Sequence, residues 1–532
     1  MNIVHYSLEN LVEPCVNKWN TKESIIDKRH FRFFDTYLKH EDCQGILIED
    51  NYISKDYIDN YQFYYSLCFD DYPKKCKRLH FLSKKFTPEE LSKISIGDTA
   101  LSEEFMDSYL GFTVIRPISH KVFGITILKP YADIPKEALW GKRAYNVHVL
   151  GLEFEIQSLA FQEQDGALSA CATAAIWSIL SKTNSLNYTL LKTPNQITKD
   201  AAIVANKGGR LFPNKGLVIE QICTSIYKAG LDTELVKGTE KDDIRYKALI
   251  EREENLCDQN LPEYIQEYNS KDYVSAEQLQ TVVNAYSKLG IPILAVIQPE
   301  KDRELHAVTI LGHKEKEVNI EDVNLLHHES ITRVYAHDDQ WGPFTKLNIS
   351  DQKNYGIDTI WTESSGGHSK LLSIIIPVNR KVRINHDDIR EVLIGIHIVL
   401  PELINPEGKY KNTYDYFVIN SNDYKSAIRI DPTVSEDQKV TLIYDSLPRY
   451  IWVISAFMDD EKIVDLIFDA TDVNSNMYGI YKIYYNGYKR GIEEAIDNVP
   501  DDEITKIIKW IKAEKPDLKF NPGYISNFLV KI

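Results

Sequence analysis

Apolar residues recur along this chain with two periods, and the switch between them predicts the elements. Residues 109–117 and 122–128 read as two strands joined by a short polar turn, with Pro117 ending the first strand or holding it at a sheet edge. Residues 170–182 are apolar almost all round, which predicts a buried helix. A helix over 217–229 places Ile219, Ile222, Cys223 and Ile226 on one face and stops at Gly230. A helix over 276–289 starts from a capping box, Ser275 with Gln278, and a staple from Val274 to Leu279, and Gly290 ends it. Apolar runs at 293–297, 306–311 and 331–338 predict three strands. Beyond them, 371–378 and 449–457 read as buried strands, Asp459-Asp460-Glu461 as a turn into a strand at 463–468, and 502–514 as a helix.

The chain has 532 residues. At roughly 150 residues per domain that predicts three domains. No repeat or low-complexity segment interrupts it, and texture changes near 148 and 365. The expected domains are 1–148, an N-terminal α/β domain; 149–365, carrying the candidate chemistry; and 366–532, a C-terminal α/β domain for packing, substrate or partner binding.

Composition narrows the function classes. Hydrophobic content of 43% and charged content of 26% fit a folded globular chain. The formal net charge of -16 argues against a nucleic-acid binder, which needs a basic stripe to neutralise phosphates. The seven cysteines are Cys15, Cys43, Cys68, Cys76, Cys171, Cys223 and Cys257; their odd count and irregular spacing suggest free thiols in a reducing compartment. The N-terminus lacks the basic-then-apolar pattern of a signal peptide, and the longest apolar run, 392–400, contains His397, stops at Pro401 and is too short to span a membrane. A cytoplasmic protein without membrane attachment is expected. The Lys-, Ile-, Asn- and Tyr-rich composition fits an AT-rich bacterial genome.

Candidate chemistry centres on Cys171, which follows the polar loop Gln162-Glu163-Gln164-Asp165-Gly166 and opens the apolar helix. A thiol in the first turn of a helix gains from its unpaired N–H groups, which favour the thiolate. Most free cysteines are simply buried; the polar loop and the downstream histidine set Cys171 apart. His306 opens a strand and is the candidate base, the alternative being a strand histidine paired to a carbonyl, as expected for His313, His327 and His328. The strand 334–338 ends in Asp338-Asp339 before Trp341-Gly342-Pro343; either aspartate can orient His306, Asp338 being favoured over Asp339. The alternative is an Asx-type turn residue. Gln164, or alternatively Gln162, can donate its amide to an oxyanion beside the Cys171 N–H. A weaker set, Cys43, Cys68, Cys76 and His80, lacks zinc-finger spacing and reads better as core residues, so no metal or cofactor is expected.

The arrangement Gln164…Cys171-Ala-Thr-Ala-Ala, then Leu305-His306-Ala-Val-Thr-Ile-Leu-Gly, then His337-Asp338-Asp339-Gln-Trp-Gly-Pro resembles the papain-like cysteine peptidase superfamily, most closely bacterial C39-like peptidase domains. His306 follows Cys171 by 135 positions (306 minus 171), within the papain-like separation of about 130–150. The resemblance covers roughly 155–350. It implies an α+β fold with a papain-like central domain, the nucleophile helix packed on an antiparallel sheet. It also implies that Cys171 is nucleophile, His306 base, Asp338 orienter and Gln164 oxyanion donor. Gln164 precedes Cys171 by seven positions (171 minus 164) where six is usual in the family, and Ala172 stands where glycine is usual.

These residues lead to an expected intracellular cysteine peptidase acting on a protein or peptide. A glutamine deamidase, amidase or acyl transferase would share the acyl-thioester step. A partner-binding protein with a degenerate papain-like core is the third reading.

Overall fold

Five strands open the chain: β1 Asn2–His5, β2 Gly45–Tyr52, β3 Cys76–Leu82, β4 Tyr109–Ile115 and β5 Phe123–Leu128. Each pairs antiparallel with its successor. Pro117 lies just beyond β4, where a missing N–H costs no ladder bond. Thr113 and Thr126 face each other across β4 and β5 and share a 2.6 Å hydroxyl hydrogen bond. Helix α1 (Arg29–His40) buries His30, Phe31, Phe34, Tyr37 and Leu38, one face of a 3.6-residue repeat. Helix α2 spans Lys55–Phe63, and β6 Arg143–Val149 pairs with β7 Leu152–Ser158 as a hairpin. This is a computed structural model; it describes residues 1–119, 121–168, 170–204, 216–238, 272–299, 304–316, 326–349, 356–359, 369–405, 407, 409–473 and 479–497.

A second sheet contains β8 Asp232–Lys237, β9 Ile293–Pro299, β10 His306–Glu315, β11 Ile331–Asp338, β12 Gly342–Asn348, β13 Gly356–Ile357 and β14 Ser369–Val378. Its order is β12-β11-β10-β9-β14-β13, with β8 on β14. The all-round apolar helix is α3, Cys171–Ser185. Small residues let it lie close on β10, where the Thr309 hydroxyl donates to the Ala175 carbonyl at 3.2 Å. Helix α4 (Ile219–Ala229) ends at Gly230, whose φ of 119° is the left-handed stop that glycine supplies without strain.

These elements belong to one unit, comprising Met1–Ser275, Ile291–His313 and Arg333–Pro377. One hydrophobic cluster runs from Leu11, Phe31, Phe34 and Phe81 to Leu311, Tyr335 and Phe344, so the opening strands and the second sheet share a core. Burying each such side chain contributes roughly 1.5–3 kcal/mol. The approach is tight: a Cβ on Gly312 would meet the Ala138 carbonyl oxygen at 2.3 Å. The change near 148 is therefore one of sequence texture, not the limit of a core. Apolar periodicity shows that a face is buried but not which partner buries it.

The second unit comprises Ala276–Gly290, Lys314–Thr332 and Val378–Ile532. Its antiparallel sheet is β15 Asn412–Asn420, β16 Tyr450–Met458, β17 Glu461–Asp469 and β18 Gly479–Tyr484, in that order. The Asp459-Asp460 turn has both residues at positive φ (48° and 64°), the hairpin geometry that matches strand twist. Helix α5 (Ala276–Ser287) belongs here rather than with the strand region expected to include it; the Asn284 amide donates to Asp415 Oδ1 at 2.7 Å and to the Tyr416 carbonyl at 3.0 Å. The apolar run 392–400 lies in α6 (His386–Ile404), which continues through Pro401. A proline in a last turn forfeits few of the helix's bonds. The helix expected at 502–514, Ser169 and Cys257 lie outside the described residues. Among the described residues no helix is long and apolar enough to cross a membrane.

Candidate active site

The segment before Cys171 is fastened to β5. Thr126 and Phe161 exchange backbone hydrogen bonds of 2.8 and 3.0 Å, and the Glu163 N–H donates to the Phe123 carbonyl at 3.1 Å. Gln162 and Gln164 therefore ride on a strip held at the edge of the first sheet. Asp165 then turns the chain: its Oδ1 accepts the N–H groups of Ala167 (3.0 Å) and Leu168 (2.8 Å), and Gly166 adopts a φ of 74°. Asp165 Oδ2 accepts from the Asn60 amide of α2 at 3.2 Å. Cys171 enters α3 half-buried. Ala170 supplies no side-chain cap and the first turn carries no acid, so its N–H groups keep their positive potential beside the thiol.

His306 begins β10 and is buried, with Nε2 2.8 Å from Asp338 Oδ1. The Cys171 side chain lies near enough to the ring to raise its pKa. With Nε2 committed to Asp338, Nδ1 is the nitrogen left for sulfur. The Gln340 amide lies 3.4 Å from that same Nδ1. A bulge brings the acid there. The β11–β12 register shifts between Ala336 and Asp338, and Asp338 Oδ1 also accepts the Gln340 N–H at 2.9 Å. Bulges bend a strand and re-aim its side chains. Strict alternation puts Asp338 and Asp339 on opposite faces, yet Asp339 Oδ1 also lies 3.7 Å from His306 Nε2.

Burial lowers the pKa of His306, but the charge and hydrogen bond of Asp338, the Cys171 side chain and the Asp339 charge together hold it well above the usual histidine range. An imidazolium held in this way stabilises a neighbouring thiolate. Asp339 behaves differently. Burial pushes its carboxyl up to about 7, against the pull of His306. Among the described residues neither of its oxygens has a hydrogen-bond partner, nor has Gln162 Nε2. Asp339 and Gln162 line one cavity with Phe161, Ser178 and Thr309; its volume of about 10 Å³ suits a single water. The half-buried Gln164 amide makes no hydrogen bond among the described residues, leaving it uncommitted.

The ligand atoms of His306, Asp338 and Asp339 lie within 4.8 Å of one another, a spacing that could hold a cation. An ion there would have to part the His306–Asp338 hydrogen bond and would compete with Cys171 for the same imidazole. The other soft set does not assemble. Cys43 donates to the Gly45 carbonyl and Cys68 to the Tyr64 carbonyl, while His80 Nδ1 pairs with the Tyr109 hydroxyl at 2.7 Å. His313 Nδ1 accepts the Trp140 indole N–H at 3.0 Å. His337 accepts the Phe344 N–H at 3.2 Å and donates to the Leu159 carbonyl at 3.1 Å.

The structure thus brings Cys171, His306, Asp338 and Asp339 together. Sequence reasoning missed Gln340 and a second histidine, His30 of α1. His30 Nε2 is 2.5 Å from the Asp339 carbonyl and Nδ1 3.4 Å from Glu163 Oε1. His30 is 309 positions from Asp339, and nothing local marks the pairing. Glu163 stood in view between the two glutamines. No family model, curated protein or solved structure matches the chain.

Proposed function

We propose that this chain is a papain-like thiol hydrolase that cleaves a peptide or amide bond in a protein or peptide. The observation that supports the reading is His306 held between the Cys171 thiol and the Asp338 carboxylate, at the mouth of a buried helix packed on an antiparallel strand. In this reading the Cys171 thiolate attacks the carbonyl carbon, and the oxyanion is met by the Cys171 N–H and the uncommitted Gln164 amide. His306 gives its proton to the departing amine. Water then attacks the thioester while His306 takes up its proton and Asp338 keeps the ring oriented. Gln162 is the alternate donor, its amide nitrogen being buried without a hydrogen-bond partner among the described residues. The reading includes a reducing cytoplasmic setting, supported by the six described cysteines, all free thiols.

The test is incubation with a mixture of unfolded proteins, followed by mass spectrometry of their termini. New N-termini with the wild type but not with Cys171→Ala support a peptidase. A gain of about 1 Da on glutamine without new termini makes the enzyme a deamidase sharing the same first step. If neither product forms and Cys171 shows no enhanced reactivity, the enzyme reading is wrong.

A further inference from the structure

Two arms of the proposed site come from distant parts of the chain. One is the strip Gln162-Glu163-Gln164 leading to Cys171; the other is the turn Asp338–Trp341 after β11. One buried side chain touches both. His30 is 4% exposed, reaches the Asp339 carbonyl with Nε2 and faces Glu163 Oε1 with Nδ1. A carbonyl can only accept, so Nε2 carries a hydrogen.

Glu163 is itself fixed. Its Oε2 accepts the Phe123 N–H at 3.0 Å, its carbonyl accepts from Arg116 at 2.9 Å, and Lys121 Nζ stands 4.0 Å from Oε1. The other end is fixed by neighbours of His30 on α1. The Arg29 guanidinium lies 4.9 Å above the Trp341 ring, and a Cβ on Gly342 would meet the Phe33 ring at 2.4 Å. The His30 ring lies 6.1 and 6.2 Å from those of Phe123 and Phe161.

We propose that His30 is a positioning residue for the thiol–imidazole pair: a strut that sets the distance between the Glu163 strip and the Asp338–Asp339 turn. The inference rests on the reading of Cys171 and His306 given above. His30 meets the Asp339 carbonyl and Glu163 Oε1. It acts through the Asp339 carbonyl, one residue from the carboxylate that holds His306. Displacing catalytic groups by about 1 Å can cost on the order of 100-fold in rate. Loss of the strut loosens Asp338 on His306, so the imidazolium is less favoured and the thiolate forms at higher pH. The charged groups facing His30 are Glu163, Lys121 and Asp338; Asp339 meets it through its carbonyl.

The test is the pH dependence of Cys171 alkylation by iodoacetamide in the full chain, read by mass spectrometry of the Cys171 peptide. His30→Phe keeps the ring volume among Phe123 and Phe161 but removes both polar contacts. It should move the acid limb up by about one pH unit, a roughly tenfold slower reaction at pH 6. His30→Gln, whose amide reaches the Asp339 carbonyl, should restore the wild-type limb; His30→Asn, one methylene shorter, should not. A folded His30→Phe with the wild-type profile overturns the strut. Should His30→Phe fail to fold, equal profiles for the Gln and Asn variants overturn it instead. The two failures read differently. A wild-type Cys171 indifferent to His306→Ala defeats the thiol–imidazole reading and the strut with it, whereas a His306-dependent profile that survives His30→Phe defeats the strut alone.

Discussion

Both units bury aspartate carboxylates, but they treat the oxygens differently. In the second unit Asp465 is fully buried and accepts from the Tyr424 hydroxyl (2.7 Å), the Tyr485 hydroxyl, the Ser455 hydroxyl (2.5 Å) and Lys462 Nζ (2.8 Å). Every donor there is a committed partner. In the first unit Asp338 holds a titrating ring that also faces a thiol, and Asp339 beside it has two oxygens without a hydrogen-bond partner among the described residues, Oδ1 lying 3.7 Å from His306 Nε2. A saturated buried carboxylate fixes a fold. An unsaturated cluster around an ionisable ring carries stored electrostatic energy, and such energy gathers at reactive sites. On the proposed function, this contrast divides scaffold from chemistry.

Substitutions can break this comparison, beginning with the largest effect. Cys171→Ala should abolish hydrolysis of any substrate found, and Asp338→Asn should slow it by roughly 10²–10⁴, because an amide no longer favours the imidazolium. Turnover by both variants on the same peptide checks this. Asp465→Asn should destabilise the second unit by about 3–5 kcal/mol while leaving the alkylation profile of Cys171 unchanged. Urea unfolding beside alkylation of the same sample checks that; a shifted profile would erase the distinction between the two units.

The smallest effect sharpens the contrast between neighbours. The folded-state pKa of Asp339 is raised to about 7, above its unfolded value near 3.9. Between those values the unfolded chain holds fewer protons, so wild-type stability falls as pH rises from about 4 to 7. Asp339→Asn removes that penalty. It should stabilise the fold by about 1–4 kcal/mol at pH 8 and hardly at all at pH 4, seen in thermal unfolding at the two pH values. Equal effects at both would mean that Asp339 is ionised in the fold.

Local chemistry was legible in the sequence, and long-range company was not. Cys171 at a helix start, His306 at a strand start, the Gly230 stop and the Asp459-Asp460 turn follow from rules that act over a few residues. The bulge between Ala336 and Asp338 breaks the two-residue period that alone was available to assign faces, so the approach of both aspartates to one nitrogen could not be read. His30 looked like one more buried position of α1, and its partners became visible only when the first sheet and the site-bearing sheet were seen to share a core. For helix α5 the sequence offers a capping box and a glycine stop, but amphipathicity does not say which unit buries a helix.

On the proposed function, His306, held by Asp338, activates Cys171. The most direct measurement is the rate of Cys171 alkylation by iodoacetamide against pH in the wild type and in His306→Ala. Wild-type Cys171 should react well below the ordinary thiol pKa of about 8.5, and His306→Ala should slow it by on the order of 100-fold at pH 6. A wild-type profile that follows the ordinary thiol range, unchanged by His306→Ala, would contradict that activation.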